Sequence, residues 1–245
     1  MDNHLELVRD QTTTKSWNRI SPVWRKSNDL FMEFLRPVSD EIIRQLEPGG
    51  TDVILDAASG TGEPGLTIAS RLNGGMVIIT DRSEDMLIMA RENATRRRIG
   101  NIDTWACDAC DLPFADNTFD AISCRFGFMF FRDIPLAARE IARVLKPGGR
   151  LATAVWNTAE KNPWLAGTPE ILRAGQEGYI AQLFEQAELT RVQVTEIPLR
   201  MKCPTPDVYQ HVMTEVAGPG ANTLGSHGEP IHVIQANALV IYGEK

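Results

Sequence analysis

The stretch Val53-Ile-Leu-Asp-Ala-Ala-Ser-Gly-Thr-Gly-Glu-Pro-Gly65 constrains this chain more than any other. A short apolar run ends at a carboxylate, small residues follow, and an apolar pattern then resumes at helical spacing. That order reads as strand, tight turn and helix N-terminus. Glycines there let backbone amides approach a ligand closely, because they adopt conformations that other residues avoid. Gly60, Gly62 and Gly65 also spell G-x-G-x-x-G, a pattern too weak alone to say which nucleotide-like ligand belongs there.

From residue 51 strand and helix patterns alternate. Strands are expected at 52–57, 75–80, 102–107, 119–124 and 150–156, and helices at 63–72, 83–98 and 134–146. The third helix buries Ala137, Ile141, Val144 and Leu145 and stops at Lys146-Pro-Gly-Gly149. This alternation predicts an α/β fold, a doubly wound and mostly parallel sheet with helices on both faces. Ligands of such sheets bind beyond the carboxyl ends of the strands. Residues 1–50 read as helical, with Pro37 separating a segment carrying Leu30, Phe31, Phe34 and Leu35 from one carrying Val38, Ile42, Ile43 and Leu46. After residue 156 the pattern thins to a helix near 177–187, a strand near 191–199 and a last strand at 237–243, with turn formers from Gly218 to Pro230 between.

Charge and composition exclude several classes. With net charge −7, no global basic field attracts nucleic acid. The Arg96-Arg97-Arg98 run sits where a helix begun at Ser83 ends, so it complements the helix dipole. No apolar run reaches the ~18 residues of a membrane span. The polar start, Met1 to Asp10, argues against a secretory signal, so a cytoplasmic location is expected. Cys107-x-x-Cys110 has no second pair at metal spacing and reads as buried thiols beside a strand; no metal is expected.

Four loops after strands carry the chemistry. The first is the glycine turn. In the second, Asp81 lies about 20 residues beyond Gly60, where a carboxylate accepts from both hydroxyls of a ribose; the alternative is a solvated helix cap, for which Ser83 is the better candidate. In the third, Asp108 is placed to accept from an adenine amine and Ala109 to offer its amide, unless Asp108 is an ordinary turn residue. The fourth, Ser123-Cys-Arg-Phe-Gly-Phe-Met-Phe-Phe131, either lines a pocket or packs a helix. Asp56 and Glu63 put two carboxylates beside the first turn. They oppose a pyrophosphate and suit a cationic adenosine cofactor, S-adenosylmethionine, over a nicotinamide dinucleotide.

At these residues the chain resembles a known family. Leu55-Asp-Ala-Ala-Ser-Gly-Thr-Gly62, Leu112-Pro-Phe-Ala-Asp-Asn-Thr-Phe-Asp120 and Arg143-Val-Leu-Lys-Pro-Gly-Gly-Arg-Leu151 are similar to motifs of class I S-adenosylmethionine-dependent methyltransferases. The likeness is nearest to the ubiquinone/menaquinone-biosynthesis group, which has a similar Phe-Gly loop, and covers about residues 15–160. It implies a Rossmann-like fold with an antiparallel last strand. It also implies Ala58, Gly60 and Thr61 around the methionine end of the cofactor, Asp81 on the ribose and Arg82 and Met86 beside the adenosine. Asp108 and Ala109 would read the adenine, and Arg125, where the quinone enzymes carry a smaller polar residue, would lie near the sulfonium-side wall. Residues 1–50 would form a segment covering the cofactor site, with Trp17 and Trp24 either closing it or packing a core. Residues 51–245 would form the α/β domain, with the substrate side at about 157–235. Relatives insert longer helical segments after the fifth strand, whereas Asn162-Pro-Trp-Leu-Ala-Gly-Thr-Pro169 runs quickly onward.

The expected activity is methyl transfer to a carbon or oxygen of a small apolar or aromatic acceptor, received by Phe126, Phe128, Met129 and Trp156. The Asn/Asp-Pro-Pro-Tyr/Phe motif of enzymes acting on planar amines is missing after the fourth strand, where Cys124-Arg-Phe-Gly127 stands. No side chain declares itself as a base, and His211, His227 and His232 read as structural. A nicotinamide-dependent oxidoreductase and a non-catalytic S-adenosylmethionine-binding scaffold are the competing readings.

Overall fold

Ile54 and Leu55 have no solvent exposure, and both neighbours of their strand are parallel to it. That strand, β1 (Val53–Asp56), is central, and an apolar run without alternation is what two covered faces require. The computed structural model describes residues 14–165, 168–202, 205, 207 and 233–245. Among these, β1 is followed by β2 (Met76–Asp81), β3 (Ile102–Ala106), β4 (Phe119–Arg125) and β5 (Leu145–Trp156), all parallel. The remaining strands, β6 (Thr190–Lys202) and β7 (Val233–Glu244), complete a seven-stranded sheet of order β3-β2-β1-β4-β5-β7-β6. The last strand is antiparallel to both neighbours, as expected. Strand order reverses between β1 and β4, so the loops leaving these two strands diverge and open a crevice.

The helices are α1 (Thr14–Leu46), α2 (Gly65–Ala69), α3 (Glu84–Arg97), α4 (Ile134–Val144), α5 (Pro169–Leu172) and α6 (Tyr179–Gln186). Ser83 caps α3 by accepting from the Met86 amide, and Arg98 ends it in a left-handed conformation, so the arginine run does close that helix. The separation expected at Pro37 does not occur. Pro22 and Pro37 both lie inside one continuous helix of 33 residues. Glu33, whose carbonyl loses its donor to Pro37, is exposed, and so is Pro37, so water can satisfy the freed group. On the opposite side Phe34, Leu35, Val38, Ile42 and Leu46 are buried, and their packing holds the two halves in register.

Several boundaries differ from expectation, among them the helix after β1, which is shorter than the expected 63–72. The proline-glycine stop after α4 is already part of β5, which bulges through Pro147-Gly-Gly149; Gly148 (φ +77°) donates its amide to the Lys245 carbonyl. Both β6 and β7 are also longer than their apolar cores. Their added ends pair with each other, so the ladder supplies what the pattern lacks. The stretch Gly218–Pro230 and His211, His227 and His232 lie outside the described residues.

Asn162 joins the loop after β5 to the sheet. It is fully buried; its Nδ2 donates to the carbonyls of Asn157 (3.0 Å) and Asn237 (2.9 Å), and its Oδ1 accepts from the Asn237 amide (2.9 Å). Asn162→Ala strands the Asn157 carbonyl and the Asn237 amide, while the Asn237 carbonyl keeps the Asn157 amide, and we expect a loss of about 2 kcal/mol in urea unfolding. A loss within about 0.5 kcal/mol would mean that water replaces the amide.

Candidate functional site

Asp56, the last residue of β1, has no exposure and turns inward. Its Oδ1 accepts from the Ser123 hydroxyl of β4 (2.6 Å), and its Oδ2 accepts from the Gly65 amide (2.9 Å) and the Ser59 hydroxyl. One carboxylate therefore ties β1 to β4, closes the turn and caps α2. Burial raises it to about 6, against the lowering effect of those hydrogen bonds. Gly65 is needed because a Cβ there would meet Asp56 Oδ2 at 2.6 Å. Gly60, by contrast, would carry a Cβ into open space, and its amide donates to Asp81 Oδ2 (2.9 Å).

Asp81 ends β2, and its other oxygen accepts from the Ser83 amide (2.9 Å). Each carboxylate oxygen thus has one amide partner and keeps acceptor capacity toward the cavity that Asp81 lines. Burial raises its pKa, opposed by the Ser83 and Gly60 amides. Asp108 accepts from Arg82 (2.9 Å) through Oδ2 and from the Cys110 amide (2.9 Å) through Oδ1. Cys107 also faces the cavity, and burial pushes its thiol up to about 11, which keeps it protonated at neutral pH.

The cavity is closed by α1 and the loop after β4. Asn28 Oδ1 accepts from the Thr61 hydroxyl (3.0 Å) and Asn18 Oδ1 from the Ser83 hydroxyl (2.6 Å), so α1 is fastened to the first two loops. Trp17, Trp24, Phe31, Met32, Phe34 and Leu35 line the space beneath it. Trp17 meets Phe130 edge-on (4.9 Å), and Trp24 packs on Phe31 (4.5 Å). At the other end Phe126 stacks on Trp156 (4.3 Å, 25°), Phe34 stacks on the same indole (6.2 Å, 24°) and Trp164 meets it edge-on (5.2 Å). The Trp164 Nε1 hydrogen is buried and has no partner among the described residues. Arg125, the last residue of β4, donates to Ser39 Oγ (3.0 Å) and Met32 Sδ (3.3 Å).

Ala58, Gly60, Thr61, Asp81, Arg82, Met86, Asp108, Ala109 and Arg125 all line this one cavity, although they come from four separate loops. Of the residues expected to receive an acceptor, Phe126, Met129 and Trp156 line it and Phe128 does not. Phe128 is fully buried against Phe131 and Phe184, because the loop makes a helical turn over Phe128–Phe130 and points that ring into the core. Phe34, Leu35, Trp164, Ile171, Met201 and Ile234 are lining residues that the sequence reading missed. Their spacing marks them as buried without saying against what.

The electrostatic argument from Asp56 and Glu63 needs correction. Neither lines the cavity; Glu63 is held by Arg97 and by the Thr67 hydroxyl (3.0 Å). What opposes a pyrophosphate is instead that Asp56 already occupies the Gly65 amide at the start of α2. Among the described residues there is no group of three or more His, Cys, Asp or Glu placed to hold a metal, and no helix long and apolar enough to cross a membrane.

Known proteins share part of this sequence and its fold. Residues 54–149 match a family model described as a methyltransferase domain. The chain is 48% identical over 101 residues to the ubiquinone/menaquinone biosynthesis C-methyltransferase UbiE of Cellvibrio japonicus, covering 40% of each. It is 31% identical over 157 residues to a demethylmenaquinone methyltransferase of Bacteroides fragilis, covering 63% of this chain and 64% of that one. These matches span about half the length of the curated relatives. A SAM-dependent methyltransferase from Aquifex aeolicus has the same fold (TM-score 0.63, 19% identity, covering 93% of this chain and 97% of that one). The chain resembles class I S-adenosylmethionine-dependent methyltransferases, close to the ubiquinone/menaquinone group, and has their fold.

Because Asp56 is raised to about 6, folding favours its protonated form. The associated stability is complete below the unfolded pKa of a carboxyl and is lost as pH rises through about 6. Asp56→Asn keeps an oxygen toward Gly65 and cannot ionise. Relative to this variant, the wild type is expected to lose about 2 kcal/mol in urea unfolding from about pH 4 to about pH 7. A pH-independent difference would show that burial does not perturb the carboxyl.

Proposed function

We propose that this chain transfers a methyl group from S-adenosylmethionine to a carbon or oxygen of a small planar, apolar or aromatic acceptor. The observation that carries the reading is Asp81, a carboxylate held by two amides with acceptor capacity left on each oxygen, at the edge of a cavity otherwise walled by aromatic and aliphatic side chains. The donor set fits a nucleoside: paired acceptors for two vicinal hydroxyls at Asp81, Met86 against a flat base and the Ala109 amide beside Asp108 at its edge.

S-adenosylmethionine brings a methyl group already activated on a sulfonium. The protein's tasks are therefore alignment, with the nucleophile about 3 Å from that methyl, and exclusion of water. Gly60, Ala58 and Thr61 bound the cavity over β1, where a Cβ on Gly60 would project into open space. The Phe34–Trp156–Phe126 stack supplies a flat apolar wall for a ring, and Trp164 closes that wall by meeting the Trp156 indole edge-on. The α1 residues fastened to Thr61 and Ser83 keep solvent out. Relatives named for ubiquinone and menaquinone biosynthesis favour a ring acceptor and C-methylation.

Calorimetry with S-adenosylhomocysteine tests the reading, with NAD as the contrasting ligand. Asp81→Ala should weaken the first by ~1–3 kcal/mol, about five- to 150-fold, by removing the hydroxyl acceptors. Burial raises the Asp81 pKa, so affinity should fall as pH drops through that raised value, and the alanine variant should lose this dependence. Binding of NAD in place of S-adenosylhomocysteine would overturn the proposal. Tight S-adenosylhomocysteine binding without turnover on any aromatic acceptor would identify a scaffold.

A further inference from the structure

Arg125 is a cation that has no carboxylate partner among the described residues, at the aromatic end of the cavity. Its two hydrogen bonds go to a hydroxyl and to a thioether, the latter a weak acceptor, and account for two of the five N–H groups of a guanidinium. Among the described residues no carboxylate forms an ion pair with it, whereas Arg82, Arg91, Arg97 and Arg143 all have one. The carboxylates that attract it from a distance, Glu63 and Asp56, are engaged by Arg97 and by Ser59, Ser123 and Gly65. Arg125 also lines the cavity, and Phe126, the next residue, is part of the aromatic wall. A desolvated charge is expensive unless something pairs with it. Arg125 is half-buried, and the space it faces is the cavity, so an anion lying there would supply that pairing.

A second observation concerns proton removal. A carbon or oxygen nucleophile must lose a proton, yet no His, Lys, Tyr or Glu lines the cavity among the described residues. Asp81 is held by two amides, Asp108 is paired with Arg82, and the Cys107 thiol is a poor base because burial keeps it protonated. A fixed guanidinium meets the same need without a base, because it favours the ionised form of whatever lies against it.

We infer that Arg125 holds an ionised oxygen of the methyl acceptor, so that the acceptor class is a planar ring bearing a phenolate, enolate or comparable oxyanion. The inference rests on the methyltransferase reading. The acceptor's proton leaves to solvent before transfer. The electron pair of the anion then forms the new bond to the methyl carbon while the sulfur–methyl bond breaks onto sulfur, and the opposite charges of anion and sulfonium cancel; where the new bond is to a ring carbon, that carbon's proton then leaves to solvent as the ring oxygen takes one up and the aromatic ring is restored.

The probe is 4-nitrophenol, whose absorbance separates phenol from phenolate, titrated with and without saturating S-adenosylhomocysteine. Bound to the wild type, its ionisation midpoint should fall by about one pH unit or more, a roughly tenfold preference for phenolate. Arg125→Met should abolish the shift, and Arg125→Lys should retain part of it. An unshifted midpoint, no binding of the probe to the S-adenosylhomocysteine complex, or a shift that survives Arg125→Met would each overturn the inference. Far-UV circular dichroism and the melting temperature report whether Arg125→Met remains folded. A roughly tenfold loss confined to S-adenosylhomocysteine, with 5′-methylthioadenosine unaffected, would assign the guanidinium to the cofactor's own carboxylate and also overturn the inference. Failure of the wild type to bind S-adenosylhomocysteine would instead remove the cofactor reading, while the titration without it still tests Arg125 as an oxyanion holder.

Discussion

One buried carboxylate organises this molecule. Asp56 accepts from a hydroxyl on the neighbouring strand, a hydroxyl in its own turn and the first amide of the following helix. Remove it and three buried donors lose their acceptor, each costing about 1–3 kcal/mol. More than stability depends on it. By drawing Ser59 and Gly65 inward, Asp56 sets the path of the turn, which leaves Gly60 facing outward with its amide on Asp81. Asp56 thus does not touch the cavity but positions the residues that form its floor.

The cavity divides along the reversal in strand order. Over β1, β2 and β3 it is lined by the polar groups of Thr61, Asp81, Arg82 and Asp108, each tied to a backbone amide or to another side chain. Over β4 and β5 it is aromatic, with Arg125 at the junction. This asymmetry suits two ligands of unlike polarity meeting end to end. Parallel strands make it possible, since every strand delivers its chemistry to the same edge and adjacent loops converge.

Much of this was legible in the residues. The carboxylates after β1, β2 and β3 stand at or just past strand ends, so their loops could be assigned before any contact was known, and all nine nominated residues line one space. What the pattern could not carry was direction. Asp56 and Asp81 look alike in sequence, each a carboxylate closing an apolar run, yet one faces the core and the other the cavity. Phe126 and Phe128 differ likewise, because a helical turn over Phe128–Phe130 rotates neighbouring rings to opposite sides. Pro37 misled for a related reason: a proline's local preference against helix yields when its exposed side is hydrated and its buried side packs. The lining residues from Ile171, Met201 and Ile234 lie far along the chain, and only the tertiary fold brings them to the crevice.

Two positions show how the sheet imposes the shape of the site. Ala58 and Phe126 each leave a strand with positive φ, +51° and +62°, a conformation that costs a side-chain-bearing residue about 1 kcal/mol or more. They adjoin through Gly127, where a Cβ would lie 2.8 Å from that of Ala58 and 2.6 Å from Cys124 Sγ, so the two loops pack without room for a larger residue. Phe126 is held in this state by its amide, which donates to the Ala154 carbonyl of β5 (2.9 Å), and by its ring, which stacks on Trp156. An extended backbone at Phe126 would swing the ring off that indole and dissolve the aromatic wall. The flat surface against which an acceptor would rest is therefore a property of the β4–β5 ladder as much as of its aromatic residues, and Arg125, one residue earlier on the same strand end, is positioned by the same constraint.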